Sequence, residues 1–354
     1  MCWWVHMPIV YHIRQKNARA FFREWTWRES APLLQNPVVY AILNYIHFIE
    51  VTDMNKPSLL VFGEIIWDLY PDKSCIGGAP LNFAVHFVRA GGSAALLSAV
   101  GADDLGRSAV DFLERNGVDT RFIQRVEYPT GRCEVTLNGG IPSYFVVPDV
   151  AYDHILPTRA EGYDLLCFGT LAQRGESRAC LKRLLKEGKF RHIFCDVNLR
   201  PDCYDRESVE NCLANATLLK ISDEEEPLLR EVAGYLPAEE SAACDPMDAP
   251  DALFARYGQL EAIVLTQGER GATLYRRGRA PIHVPAAPAE VVSTVGAGDS
   301  FGAAWLYHTL MGADDLTALT AASARAAWVI AHAEAIPEEP PLAGRCPTPH
   351  WGTF

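Results

Sequence analysis

The stretch Ile193-Phe-Cys-Asp196-Val-Asn-Leu-Arg200 decides the fold. Ile193 to Cys195 form an unbroken apolar run, as in a strand buried on both faces, and polar residues begin where it ends. Outward from it the same unit recurs in Leu59-Leu-Val-Phe62, Ala95-Leu-Leu-Ser-Ala-Val100, Asp164-Leu-Leu-Cys-Phe168, Thr217-Leu-Leu-Lys220 and Ala262-Ile-Val-Leu265. Helical patterns lie between these strands. Ala79 to Ala90 is one, and Asp104 caps another in which Leu105, Ala109, Phe112 and Leu113 share a face. Short apolar strands alternating with helices predict an α/β fold, a doubly wound and mainly parallel sheet with helices on both faces. Such sheets bind ligands beyond the carboxyl ends of their strands, where Asp196, Asn198 and Arg200 fall.

One segment breaks the rhythm. Between Arg121 and Val147 the pattern alternates, and Asn138-Gly-Gly140 joins Cys133-Glu-Val-Thr-Leu137 to Ser143-Tyr-Phe-Val-Val147. That is a hairpin signal, and a small β-strand lid is expected, with strands at about 70–76 and 121–148. The sheet pattern sets a domain at 54–337. Residues 1–53, which hold Trp3, Trp4, Trp25 and Trp27 without turn or cap signals, read as an N-terminal extension, either a leader that precedes a natural start at Met54 or a surface-packed helix pair. Residues 338–354 read as a Pro-rich tail.

A net charge of -12 over 354 residues, with no basic run, argues against a nucleic-acid partner. The apolar stretch from Pro37 to Val51 is shorter than the roughly 20 residues of a membrane span, and His47 interrupts it. No secretory signal pattern is evident. The ten cysteines are scattered singly, with no Cys-x-x-Cys, which predicts buried free thiols. A cytoplasmic protein without a membrane partner is expected.

The chemistry-bearing run is Ser293-Thr-Val-Gly-Ala-Gly-Asp299, ahead of the apolar helix Phe301 to Leu310. Glycines let a ligand approach the backbone, and a helix start offers unpaired N–H groups to an anion. An Asp there binds metal, caps the helix or takes a proton. Phosphoryl transfer to an alcohol uses the last of these. No P-loop is present, and Gly296-x-Gly298-x-x-x-Gly302 misses the dinucleotide fingerprint by one position. Asp68 and Gly77-Gly-Ala-Pro-Leu-Asn82 offer a carboxylate and an amide that suit sugar hydroxyls, or merely a turn and a helix start. Ser222-Asp-Glu-Glu225 follows a strand and either faces Mg²⁺ through water or makes an acidic first turn. Thr266-Gln-Gly268 ends a further strand in the same way.

Together these residues resemble the PfkB, or ribokinase-like, carbohydrate kinases from about Leu59 to Pro337. Thr294-Val-Gly-Ala-Gly-Asp299 matches the family's most specific motif, and Gly77-Gly78 with Asn82 its N-terminal signature. Phe62-Gly-Glu-Ile-Ile-Trp-Asp68, Phe168-Gly-Thr-Leu-Ala-Gln-Arg174 and Asp196-Val-Asn-Leu-Arg200 look most like the fructokinase-like branch. The resemblance implies ATP-dependent phosphorylation of a sugar hydroxyl, fructose first. Another sugar or a sugar acid such as 2-keto-3-deoxygluconate is the alternative, or a non-catalytic sugar- or nucleotide-binding relative. It implies Asp299 as base and the backbone of Gly296, Ala297, Gly298 and Asp299 as anion hole. Asp68, Gly77, Gly78, Asn82 and Arg200 would hold the sugar. Ser222, Glu225, Thr266 and Gly268 would serve the nucleotide, with Glu225 also organising Mg²⁺. The lid would double as a homodimer interface. Three residues depart from the family pattern. Ser293 replaces an Asp that commonly helps bind a monovalent cation, Ser222 an Asn, and Glu334 a Gly near the cation loop.

Overall fold

Leu59, Leu60, Val61 and Phe62 are all buried, so their strand is covered on both sides. Leu59 and Val61 pack into one core and Leu60 and Phe62 into another, the period-2 alternation of a central strand. The computed structural model describes residues 56–138, 141–234 and 249–339. Along them run β1 (Ser58–Phe62), β2 (Ile66–Leu69), β3 (Ser74–Gly77), α1 (Ala79–Ala90), β4 (Ser93–Gly101), α2 (Asp104–Arg115) and β5 (Ile123–Val126). Next come β6 (Gly131–Asn138), β7 (Ile141–Val146), β8 (Leu165–Phe168), α3 (Gly175–Glu187), β9 (His192–Asp196), α4 (Arg206–Asn215) and β10 (Leu218–Ser222). The remainder is α5 (Glu226–Ala233), α6 (Ala249–Arg256), β11 (Ala262–Thr266), β12 (Ala272–Arg276), β13 (Ile282–Val284), α7 (Ala297–Leu310) and α8 (Asp315–Ile330).

The main sheet has nine strands in the order β13-β12-β11-β10-β9-β8-β1-β4-β5. Pairing is parallel from β5 through to β11, and β12 and β13 close that edge antiparallel. One core lies under α3 to α6 and the other under α1, α2, α7 and α8, as a doubly wound sheet requires. The chain leaves β1 for β4 and β5 on one side, whereas β8 to β11 build the other. The order therefore reverses between β1 and β8, and the crevice beyond their carboxyl ends is where such sheets take a ligand.

A second sheet, in the order β3-β2-β6-β7, stands apart from the first. It differs from the expected lid in two places. Residues 70–73 form the turn between β2 and β3, closed by Tyr70 N–H donating to the carbonyl of Lys73 at 2.9 Å. Ile123–Val126, inside the segment expected for the lid, instead runs parallel to Ser98–Gly101 at the edge of the main sheet. Residues 139–140 of the hairpin loop, the 1–53 extension and the start at Met54 lie outside the described residues, as does the tail from 340 onward.

Two helix starts also moved. Asp103, not Asp104, caps α2, its carboxylate accepting from Gly106 N–H at 2.8 Å. The helix read from Phe301 begins at Ala297, so Ala297, Gly298 and Asp299 are its first turn. All seven cysteines among the described residues are free, five of them buried, while Cys75 and Cys203 are half-buried. No helix among the described residues is long and apolar enough to cross a membrane.

Candidate active site

Asp299 sits in the first turn of α7, where a helix has no carbonyl of its own for its leading amides. Gly296 is the N-cap, held at φ 79°, the left-handed region that a glycine enters without strain. A Cβ at 296 would also lie 2.7 Å from Cβ of Ala335. Ala335 is itself clamped: His86 is buried, and its Nε2 donates to the Ala335 carbonyl at 2.9 Å. Arg325 donates to His86 Nδ1 at 3.0 Å. Arginine cannot accept, so this contact fixes the Nε2–H tautomer. Burial pushes the imidazole down to about 3, so it stays neutral. α1 thereby holds the closing segment, and the closing segment holds the Gly296 turn.

α1 also reaches Asp299 directly, Asn82 Nδ2 donating to Asp299 Oδ2 at 2.8 Å. Asn82 is buried, and its Oδ1 has no partner, a polar atom aimed where a hydroxylated ligand would satisfy it. Burial raises the Asp299 carboxyl above its usual range, opposed by the Asn82 hydrogen bond and by Lys220 and Arg200. A raised carboxylate is a better proton acceptor, which suits a base acting on a hydroxyl.

The cleft beside Asp299 is lined by Glu64, Phe83, Phe168, Gly169, Thr170, Asp196 and Asn198. Glu64 follows β1 and Gly169 and Thr170 follow β8, so the cleft sits at the reversal of strand order. Asn198 has φ 45°, unusual for a residue with a side chain and of the kind concentrated at functional sites. Asp68 lies on β2 between Cys75 and Cys133 of the neighbouring strands. Its Oδ2 would be 3.7 Å from a Cβ at Gly77. Burial raises the Asp68 carboxyl and Arg200 lowers it. Arg200 is exposed, yet its charge acts on Asp68, Glu64 and Asp299 together. Gly78 forms the N-cap of α1.

Two strands further along the same sheet edge, Ser222 and Thr266 are register partners. Glu225 Oε2 accepts from Ser222 N–H at 2.8 Å and from Ser222 Oγ at 3.0 Å. Its Oε1 accepts from Leu199 N–H at 2.8 Å, tying the β10 end to the loop after β9. Thr266 Oγ1 donates to the Ile221 carbonyl at 3.3 Å, and Gly268 opens a short turn of helix over Gly268–Arg270. Asp68, Gly77, Gly78 and Asn82 thus gather around β2, β3 and α1, with Asp299 bonded to Asn82, and the Ser222 and Thr266 set lies around β10 and β11.

This geometry agrees with what the chain is similar to. Residues 50–341 match the pfkB family carbohydrate kinase pattern. The chain belongs to the PfkB family of carbohydrate kinases. A fructokinase of Klebsiella pneumoniae is 30% identical over 272 residues, covering 70% of this chain and 83% of that one. Among solved structures, the sugar kinase PH1459 of Pyrococcus horikoshii in complex with ATP matches with a TM-score of 0.64 and 28% identity, over 78% of this chain and 93% of that one. The aminoimidazole riboside kinase of Salmonella enterica, complexed with its riboside and an ATP analog, matches with a TM-score of 0.65 and 25% identity, over 78% and 95%. The protein is a sugar kinase with a ribokinase-like α/β fold.

The sequence pattern singles out Asn198 by its place past the end of β9, but not Glu64, which lies inside the motif after β1, nor His86, which lies within α1. Lys220, the lone charge in Leu218-Leu-Lys-Ile-Ser222, is buried, with Nζ donating to both oxygens of Asp196 at 2.9 Å. A lysine inside an apolar strand signals a buried partner, although not which one.

Proposed function

We propose that this sugar kinase transfers the γ-phosphoryl group of ATP to a hydroxyl of fructose, with Asp299 as general base. The observation that carries this reading is Asp299 held by Asn82 at 2.8 Å in the first turn of α7. There a base stands beside amides able to receive a transferring phosphoryl group. The sugar lies against Asp68, Gly77, Gly78 and Asn82, and Asn82 Oδ1 accepts from one of its hydroxyls. Asp299 takes the proton of the attacking hydroxyl, and the amides of Gly298 and Asp299 steady the charge on the phosphoryl oxygens. Ser222, Thr266 and Gly268 line the path of the nucleotide. The preference for fructose rests on the fructokinase relative and on the motifs after β1, β8 and β9.

Mg²⁺ enters with ATP, where it offsets phosphate charge. Glu225, its oxygens oriented by Leu199 N–H and Ser222 N–H, would be the carboxylate that organises this ion, directly or through water. The small sheet closes over the sugar as a lid. Its outer strand exposes Tyr144 and Phe145, a surface suited to pairing two lids in a homodimer. The free thiols suit the cytoplasm.

A second reading is favoured by Arg200, whose guanidinium charge acts on Asp68, Glu64 and Asp299. Such a group pairs bidentately with a carboxylate, so a sugar acid such as 2-keto-3-deoxygluconate is the rival substrate. A coupled assay at fixed ATP across fructose, ribose, glucose, nucleosides and 2-keto-3-deoxygluconate tests the assignment. Fructose should give the highest kcat/KM. A sugar acid turned over at least tenfold better would transfer the assignment to the second reading.

A further inference from the structure

Lysine is rarely buried without a partner, and Lys220 is 5% exposed beside Leu219 and Ile221. An ammonium has three N–H groups, and Asp196 takes two of them, at 2.9 Å each. A buried ion pair is poor evidence for stability, since apolar residues of similar volume often serve as well. Its position is more telling. A Cβ at Gly298 would lie 3.2 Å from Lys220 Nζ, and one at Gly302 would lie 3.5 Å from Lys220 Cδ. The side chain therefore runs beneath the first turn of α7, with its charge against the anion loop. A side chain at 298 would crowd the ammonium, which would have to give by a few tenths of an ångström.

Charge at this end of the sheet is otherwise mostly negative. Glu225, after β10, raises the Asp299 carboxyl, the Asp299 charge in turn raises Glu64 and Asp196 at the ends of β1 and β9, and an entering phosphate adds more negative charge. Lys220 and Arg200 oppose them. Arg200 is exposed and screened by water and salt, whereas Lys220 is buried and is not.

We propose that Lys220 is an electrostatic positioning residue for phosphoryl transfer: a buried cation, oriented by Asp196, that holds positive potential beneath Gly298 and offsets the charge gathering at the anion loop and Asp299. The proposal rests on assigning those two roles to Gly296–Asp299. It makes Asp196 a holder of Lys220 rather than a sugar ligand.

The test is the double variant Lys220→Met/Asp196→Asn, which removes both charges and strands neither. It is compared with wild type and with Lys220→Arg for thermal unfolding, kcat, sugar KM, and affinity for ADP with fluoroaluminate against ADP alone. Fluoroaluminate mimics the transferring phosphoryl group. The double variant should unfold within about 5 °C of wild type, because a buried pair adds little to stability. Its kcat should fall roughly 10²-fold, the scale of losing one preorganised electrostatic donor, with sugar KM changed less than about threefold. Its preference for the fluoroaluminate complex should fall by more than about tenfold, and Lys220→Arg should recover at least about a tenth of the lost kcat. Asp299→Asn, which keeps Lys220, should retain that preference, so failure of the base assignment would read differently from failure of this one. A double variant that is unfolded, or that keeps kcat and the fluoroaluminate preference within about threefold of wild type, would overturn the proposal.

Discussion

Replacing Gly296 by Ala should damage catalysis and stability together, and both sizes follow from the contacts of the turn. At φ 79° a side chain costs about 1–2 kcal/mol in backbone strain. The new Cβ would lie 2.7 Å from Cβ of Ala335 and 2.9 Å from its Cα and O, so Ala335 must retreat by roughly 0.7 Å to reach ordinary contact. That retreat strains or breaks the buried hydrogen bond from His86 to the Ala335 carbonyl, costing about 1–2 kcal/mol more. The sum, about 2–4 kcal/mol, lowers Tm by roughly 4–8 °C for a domain of this size. Because the first-turn amides of α7 move with the cap, kcat should fall about 10²-fold. The control is Gly234→Ala, at φ 61° with nothing within 4 Å of the new Cβ and no part in the site. It carries the strain alone, about 1–2 kcal/mol and roughly 2–4 °C, with kcat unchanged. Thermal melts and steady-state kinetics on both variants decide the matter. Equal Tm losses for the two, or Gly296→Ala with kcat within about threefold of wild type, would refute the clamp from His86 through Ala335 to the anion loop.

Glu64 gives a pH prediction. Burial pushes its carboxyl up to about 7 from an ordinary 4.5, so between those values the folded chain holds a proton that the unfolded chain has released. Stability from this group therefore declines as pH rises through that window, by up to about 3 kcal/mol. Glu64→Gln should melt close to wild type at pH 5 and roughly 4–6 °C above it at pH 8, and a constant difference would sink the idea. Potassium should change kcat/KM little against a large organic cation at constant ionic strength, since Ser293 cannot supply a carboxylate. A strong potassium response would mean that other ligands complete the cation site.

The central layers were the most legible part of the sequence. Leu59 to Phe62 and Ala79 to Ala90 read plainly because buried parallel strands and capped amphipathic helices leave local signatures. β5 did not, because Ile123–Val126 is short, half-exposed and at an edge, and only its pairing with Ser98–Gly101 makes it part of the main sheet. The Gly-rich loop and Asp299 were legible as a motif, but the helix start was not. Nothing local distinguishes a turn Ala297 from a helical one until Gly296 is seen in a left-handed cap. Lys220 and His86 were harder still, because each draws its role from a partner far along the chain: Asp196 lies 24 residues from Lys220 and Ala335 lies 249 from His86. Long-range pairs of this kind leave at most an anomaly in the sequence, a charge in an apolar strand or a histidine on a buried helix face.

The measurement closest to the central claim is the kinetics of Asp299→Asn with ATP and the preferred sugar of the panel. Asn keeps the size of the side chain and can still pair with Asn82, so fold and sugar binding should persist, with Tm within a few degrees of wild type. It cannot accept the proton of the attacking hydroxyl, and kcat should fall about 10²–10⁴-fold at neutral pH. A folded Asp299→Asn variant whose kcat stays within a few-fold of wild type would contradict the account.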